Sequence, residues 1–208
     1  MLKLSGIDDI IIVVNDGCQG EQIAKIIECG SYLRFSSIKY VFQDKPKGTA
    51  YAISLCKKLL DTSSFVVAWG DNIFEYCPLG LTKDINQEAI IFVKEVDNIS
   101  HYGKVILNDG RGVVDIQYYS SSDSENNRGY ALAGIFMLPW YFCDYIDKII
   151  PNFKNEIDIV DALREYIKAN KIKANIIKGY WVDAASSFDN LLEASILVKN
   201  NGVNKVIE

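Results

Sequence analysis

The chain has 208 residues, a formal net charge of −5, and 49% hydrophobic and 24% charged residues, which is the composition of a folded globular protein large enough to bury a core. The acidic balance and scattered Lys and Arg exclude a general nucleic-acid surface. No apolar run is long enough to span a membrane, and no basic-then-apolar stretch opens the chain, so a cytoplasmic location is expected. Five separated cysteines (Cys18, Cys29, Cys56, Cys77, Cys143) without a C-x-x-C pair argue against a zinc site or a disulfide framework and for thiols in a reducing compartment.

Asp9 to Asn15 is a β-branched run that predicts a strand buried on both faces. Gln19 to Cys29 carries Ile23, Ile26 and Ile27 at helical spacing, with Gly30 as its stop. Ser37 to Gln43 reads as a strand, Gly48 to Leu60 as a helix, and Ser64 to Trp69 as a strand again. That alternation predicts a parallel sheet with helices on its faces, and ligands in such sheets sit beyond the carboxyl ends of the strands. Gln43, Gly70 and Asp71 fall at such ends. The second half predicts strands over 88–96, 103–107, 113–119, 130–138 and 171–178, with a turn at Asn108-Asp109-Gly110. It also predicts helices over 139–149, 158–170 and 188–200, and a mobile polar loop over 120–129. No linker divides the chain, so 1–208 is expected to form one domain.

Three stretches carry candidate chemistry. Gln43-Asp44-Lys45-Pro46-Lys47-Gly48-Thr49-Ala50 joins a strand end to a helix start, where a glycine lets the backbone approach a ligand; an ordinary strand–helix loop explains it equally well. Val66-Val67-Ala68-Trp69-Gly70-Asp71-Asn72-Ile73-Phe74 ends an apolar strand on a carboxylate. Tyr180-Trp181-Val182-Asp183 places a second aspartate before the closing helix, either as a cap or as a partner of Asp71 on one divalent cation. His101, the single histidine, excludes His-based triads, and Tyr118 and Tyr119 read as the end of a strand. The acids from Glu156 to Asp161 suit a helix start.

Read in order, these stretches resemble the sugar-1-phosphate nucleotidyltransferases, above all the glucose-1-phosphate thymidylyltransferases. Leu4-Ser5-Gly6-Ile7-Asp8-Asp9-Ile10 is similar to the family's "LAGI.eI", Gln43 to Ala50 to "Q..P.GLA", and Gly70-Asp71-Asn72-Ile73-Phe74 matches "GDNIF". Tyr102-Gly103-Lys104-Val105 resembles "YGVV", Ala133-Gly134-Ile135-Phe136 "TGLY", Glu156 to Asp161 "ELEITD", and Trp181-Val182-Asp183 "WLD". The resemblance implies a Rossmann-like, mostly parallel sheet flanked by helices, with a small antiparallel portion. It implies transfer of a nucleotide from dTTP or UTP to a sugar 1-phosphate, with release of pyrophosphate. Asp71 and Asp183 would hold Mg²⁺ and be the catalytic pair. Gln43, Pro46, Gly48, Gly70 and Asp71 would contact the nucleotide; Tyr102, Gly103, Glu156 and Trp181 would border the sugar.

Four family features are missing. The opening strand with its "GGxGTRL.P.T" loop would lie before Met1, so the chain resembles an N-terminally truncated member. The "EKP" lysine would fall near Tyr118-Tyr119-Ser120-Ser121, Ala133 replaces a threonine, and Ala184-Ala185 replaces "TG". Two functions therefore stay open: an active nucleotidyltransferase, or an inactive relative that binds nucleotide or nucleotide-sugar or partners a full-length homologue. The missing strand would leave a gap inside the sheet. The expectation is that neighbouring strands close up, that another chain fills the gap through homo-oligomerisation or association with a homologue, or that further residues of the same polypeptide do so.

Overall fold

The computed structural model describes residues 1–28, 33–81, 88–100, 102–118 and 128–206. The elements run β1 (Asp9–Asn15), α1 (Cys18–Ile27), β2 (Ser37–Gln43), α2 (Thr49–Cys56), β3 (Ser64–Ala68), β4 (Asn72–Phe74), β5 (Ala89–Val96), β6 (Lys104–Leu107), β7 (Val113–Gln117), β8 (Gly129–Pro139), α3 (Cys143–Ile146), α4 (Ile159–Ile167), β9 (Ile172–Ile176), β10 (Trp181–Asp183) and α5 (Phe188–Asn201). His101, Tyr119, Cys29, Gly30 and residues 120–127 of the polar loop lie outside the described residues.

The main sheet is organised by β8. Its run Tyr-Ala-Leu-Ala-Gly-Ile-Phe-Met-Leu has no polar side, and both faces are used. Leu132, Phe136 and Leu138 join Ile91, Val93, Ile146, Leu163 and Tyr166 in the core under α2, α3 and α4. Ala131, Ala133, Ile135 and Met137 join Ile90, Phe92, Phe74 and Trp181 on the opposite face. Alternate side chains of a strand point to opposite faces, so a continuous apolar run is what a two-sided core requires.

Along one edge β8 pairs antiparallel with β5. Its other edge is shared, Tyr130 and Ala131 pairing with β6 and Ile135 to Pro139 with β3. β9 then adds parallel to β5, and β7 antiparallel to β6. In direction, β3, β5, β6 and β9 run one way and β7 and β8 the other. The helix-flanked sheet expected from the sequence is thus present, with four of its six described strands running one way. Because β8 lies between β5 on one edge and β3 and β6 on the other, however, β5–β9 is the one parallel ladder of this sheet among the described residues.

β1 and β2 form a parallel pair of their own, in register from Asp9–Ser37 to Asn15–Gln43. Among the described residues no ladder joins β1 to β3, so the strands flanking the expected gap do not close up. Their apolar side chains stay half-buried: of β1 only Val14 is buried, and none of β3 is. The helical spacing of Ile23, Ile26 and Ile27 is real, but it does not define a buried face, since Ile23 is 43% and Ile26 74% exposed. Burial fails on this side because the sheet that α1 covers is only two strands wide.

Two elements escaped the sequence reading, because three residues give too little periodicity to register. β4 and β10 form a short antiparallel ladder, Asn72–Asp183, Ile73–Val182 and Phe74–Trp181. The segment after α5 clamps its outer side. Asn204 N donates to Phe74 O at 2.9 Å, Lys205 N to Glu75 O at 2.8 Å and Cys77 N to Lys205 O at 2.8 Å. Lys205 Nζ donates to Glu75 Oε1 at 3.0 Å, Tyr180 N to Glu75 Oε2 at 3.2 Å, and the Tyr180 hydroxyl to Gly202 O.

Lys205 is the main reason the Glu75 carboxyl lies below its ordinary 4.5; partial desolvation opposes it, and the Tyr180 N–H assists. A depressed carboxyl means that the unfolded chain binds the extra proton first. The clamp's contribution is therefore complete above about pH 4.5 and disappears as pH falls through the folded value. Glu75→Gln should melt below the parent at pH 7, and the two melting curves should converge in acid. A gap between them that does not change with pH would contradict this origin.

Candidate functional site

Asp71 lies in the exposed turn between β3 and β4, two residues after Trp69, whose N–H bonds Gly134 O at 2.9 Å. Asp183 ends β10 directly opposite Asn72, and Ala184 N donates to Asp71 O at 2.9 Å. The two aspartates, distant in sequence, are therefore brought together by one ladder. Asp183 does not cap α5, because that cap is Ser187, whose hydroxyl oxygen accepts from Asn190 N at 3.0 Å. The Asp183 carbonyl is instead occupied by Asn190 Nδ2 at 3.2 Å and the Ser186 hydroxyl at 2.9 Å.

Burial first, and then the neighbouring Asp71 charge, push the Asp183 carboxyl above its ordinary value, against one backbone N–H from Ala185. Among the described residues no ion pair engages either aspartate. Two facing carboxylates of this kind suit a hard divalent cation. Among the described residues no group of three or more His, Cys, Asp or Glu side chains gathers around a cation, so the remaining ligands would have to be water or substrate oxygens. Mg²⁺, which keeps waters and takes phosphate oxygens alongside one or two carboxylates, fits that donor set.

An aromatic wall adjoins the pair. The Tyr102 and Trp181 rings are 5.0 Å apart at a 58° tilt. Burial, then the charges of Asp183 and Glu193, push the Tyr102 hydroxyl upward. Trp181 Nε1 donates to Asn72 Oδ1 at 2.6 Å, and Asn72 Nδ2 donates to Asp71 Oδ1 at 2.8 Å. Asn72 had no role in the sequence reading; its adjacency to Asp71 was the available signal. Gly103 follows Tyr102, and a Cβ there would lie 3.6–3.8 Å from the side chains of Val160, Leu132 and Ile116. Glu156 lies in the loop before α4, its N–H held by Asn152 Oδ1 at 3.1 Å.

The nucleotide-side candidates belong to the β2–α2 connection. Gln43 Nε2 donates to Asn15 Oδ1 at 2.8 Å across the ends of β2 and β1, while Gln43 Oε1 is buried without a partner among the described residues. Pro46 is exposed on the following turn. That turn is braced by the α4 loop, with Ile157 N bonded to Lys47 O at 2.7 Å and Ala50 N to Ile157 O at 3.0 Å. Asp158 caps α4, accepting from Val160 N at 2.8 Å. Tyr118 follows β7 and places its hydroxyl 3.2 Å from Asp161. Among the described residues, no hydrogen bond links Gln43, Pro46 or Gly48 to the aspartate pair.

The protein thus combines a mixed α/β fold with two neighbouring aspartates beyond the end of β3 and an adjoining pair of aromatic rings. This chain belongs to the nucleotidyl transferase family, whose model matches residues 1–201. It is 30% identical over 182 residues to the bifunctional protein GlmU of Methanococcus aeolicus, covering 82% of this chain and 42% of that protein. It is 26% identical over 206 residues to the glucose-1-phosphate thymidylyltransferase of Streptomyces griseus, covering 95% and 55%. The chain thus spans about half the length of these relatives. A solved Bacillus anthracis structure, assigned as a glucose-1-phosphate thymidylyltransferase in complex with a sucrose, superposes with a TM-score of 0.83 at 25% identity, covering 96% of this chain and 79% of that one. No helix among the described residues is long and apolar enough to cross a membrane.

Two of the candidate glycines are separable by their surroundings. Gly48 has φ of +101°, and a Cβ there would overlap the backbone of Ile157, so the fold itself requires glycine. A Cβ on Gly70 meets nothing within 4 Å. Gly48→Ala should cost about 1–3 kcal/mol or more, from left-handed strain plus the clash. Gly70→Ala should leave stability within about 0.5 kcal/mol. Chemical denaturation of the two variants checks the contrast, and equal losses would remove it.

Proposed function

We propose that this chain is the nucleotidyltransferase unit of a protein that makes a nucleotide-sugar from a sugar 1-phosphate and a pyrimidine nucleoside triphosphate, dTTP or UTP, as a precursor for cell-surface carbohydrate. The observation that carries the proposal is the β4–β10 ladder, which, with the bond from Ala184 N to Asp71 O, sets Asp71 beside Asp183 just beyond the end of β3. In the reaction an oxygen of the sugar phosphate attacks the α-phosphorus, and the bond to pyrophosphate breaks. A bound Mg²⁺ supplies charge neutralisation and a template for the phosphate oxygens.

The protein's own contribution is positioning. Asp71 and Asp183 would hold the cation. Trp181 and Tyr102 offer an apolar wall to a sugar ring, with Gly103 and Glu156 at its border. Gln43 Oε1, an acceptor without a partner among the described residues, suits the N3–H of thymine or uracil, while Asn15 holds the amide nitrogen. Gly70 leaves open space above the strand end for a phosphate or ribose, and Pro46 and Gly48 shape the turn beside the base.

A pyrophosphate-release assay across nucleotides and sugar phosphates tests the reading. Release should require Mg²⁺, and Asp71→Asn or Asp183→Asn should lower it by at least about a hundredfold, since a metal clamp of this kind contributes several kcal/mol. Folded protein that releases no pyrophosphate with any pair would overturn catalysis.

One feature favours the second reading, a relative that binds without turnover. Where the resemblance places a lysine, the Tyr118 hydroxyl meets Asp161, near Asp158 and Glu156, an acidic setting that repels a sugar phosphate. This reading is supported if dTTP, UTP or a nucleotide-sugar raises the melting temperature without turnover.

The edges of β1 and β3 that carry no ladder among the described residues support association with a second copy or a homologous chain, because unpaired strand edges bearing half-buried apolar side chains invite another strand. Sedimentation of the chain across concentration should show a dimer or higher species. A monomer at every concentration would contradict this.

A further inference from the structure

We propose that Asn72 is a positioning residue that holds the Asp71 carboxylate in one orientation, and that Trp181 sets this by locking the Asn72 amide. The inference rests on the cation-site reading above.

An amide side chain normally has two orientations, because its oxygen and nitrogen ends have the same shape. Here one orientation is excluded. An indole N–H only donates, and Trp181 Nε1 lies 2.6 Å from Asn72 Oδ1. The carbonyl end of Asn72 must therefore face Trp181, which sends its NH₂ group to Asp71 Oδ1 at 2.8 Å. Rotating the amide would set two donors against each other at Trp181 and two acceptors against each other at Asp71.

The surrounding frame leaves this unit little freedom. Asn72 is fixed at the backbone by its pairing with Asp183, and Trp181 by its pairing with Phe74. Trp181 is buried, and its ring lies against Tyr102. On the opposite side, Gly134 has φ of +69°, and a Cβ there would fall 2.6 Å from the Trp69 ring and 3.1 Å from Asn72 Cγ. A bare Cα at Gly134 is what makes room for the amide. The aromatic wall is thus connected to one carboxylate by two directional hydrogen bonds, and to the other because Trp181 and Asp183 are two apart on β10 and share a face. A ring bound against Trp181 and Tyr102 and a cation bound at Asp71 and Asp183 would each act on the same hydrogen-bonded unit. Partners that orient a ligating carboxylate in this way commonly matter to metal affinity.

The test compares the parent, Trp181→Phe, Asn72→Leu and the double variant, with Mn²⁺ binding read by electron paramagnetic resonance and folding checked by circular dichroism. Each single variant should bind Mn²⁺ about tenfold more weakly. The double variant should be no weaker than Asn72→Leu, because Trp181 acts through Asn72. In ¹⁵N-labelled protein the Trp181 indole resonance, identified by its loss in Trp181→Phe, should move on adding Mg²⁺ and stay fixed in the Asn72→Leu background. If Asn72→Leu does not fold, Asn72→Ser takes its place. Single variants that bind like the parent, a double variant whose loss is the product of the two single losses, or an indole resonance that ignores Mg²⁺ would each overturn the relay alone. A folded parent that binds no Mn²⁺ would overturn the cation-site reading as well.

Discussion

The site depends on a ladder of three residue pairs. β4 and β10 are each three residues long, and an isolated two-stranded ladder of that size is not stable in water. It persists because neighbouring groups hold it from every side. Phe74 and Trp181 bury their rings in the core beneath β5 and β8. The segment after α5 bonds to Phe74, Glu75 and Cys77, and Asn190 and Ser186 secure the carbonyl of Asp183. Two carboxylates are thereby kept adjacent, and burial first, with the Asp71 charge second, raises the proton affinity of Asp183.

The two halves of the candidate site are mounted differently. The aspartates and the aromatic wall are anchored to the main sheet, whose central strand is buried on both faces. Gln43 stands on the β1–β2 pair, which has no ladder to that sheet among the described residues. Its firm attachments run instead through the β2–α2 turn, where Ile157 bonds to Lys47 and Ala50, and through Thr49 Oγ1, which accepts from Ile159 N at 2.9 Å. Asp71 and Asp183 are therefore held by a dense core, and Gln43 by a turn and a helix start.

Much of the fold was legible because it rests on local patterns. Apolar runs ending in Gln43 and Ala68, the Asn-Asp-Gly turn and the Asp158 cap each have a short-range cause, and the resulting elements fall within a few residues of their predicted bounds. Legibility failed where a pattern depends on its surroundings. The apolar spacing of α1 is helical, yet Ile23 and Ile26 are exposed because the sheet beneath them is, among the described residues, two strands wide. Gly48 read as a place for a ligand to approach, whereas the neighbour that requires a glycine is the backbone of Ile157. Asp183 was equally readable as a helix cap until Ser187 was seen in that position.

By itself the sequence determined the order of strands and helices, the stretches that carry Gln43, Asp71 and Asp183, and the resemblance that makes a nucleotidyltransferase the natural reading. These follow from residue type and spacing along the chain. Only the tertiary structure decided that the β4–β10 ladder brings Asp183 next to Asp71, that Asn72 bonds both Asp71 and Trp181, and that β1 and β3 share no ladder among the described residues. Each is a relation between segments far apart in sequence, fixed by hydrogen-bond register and by which side chains bury together, and neither leaves a periodic mark in either segment alone.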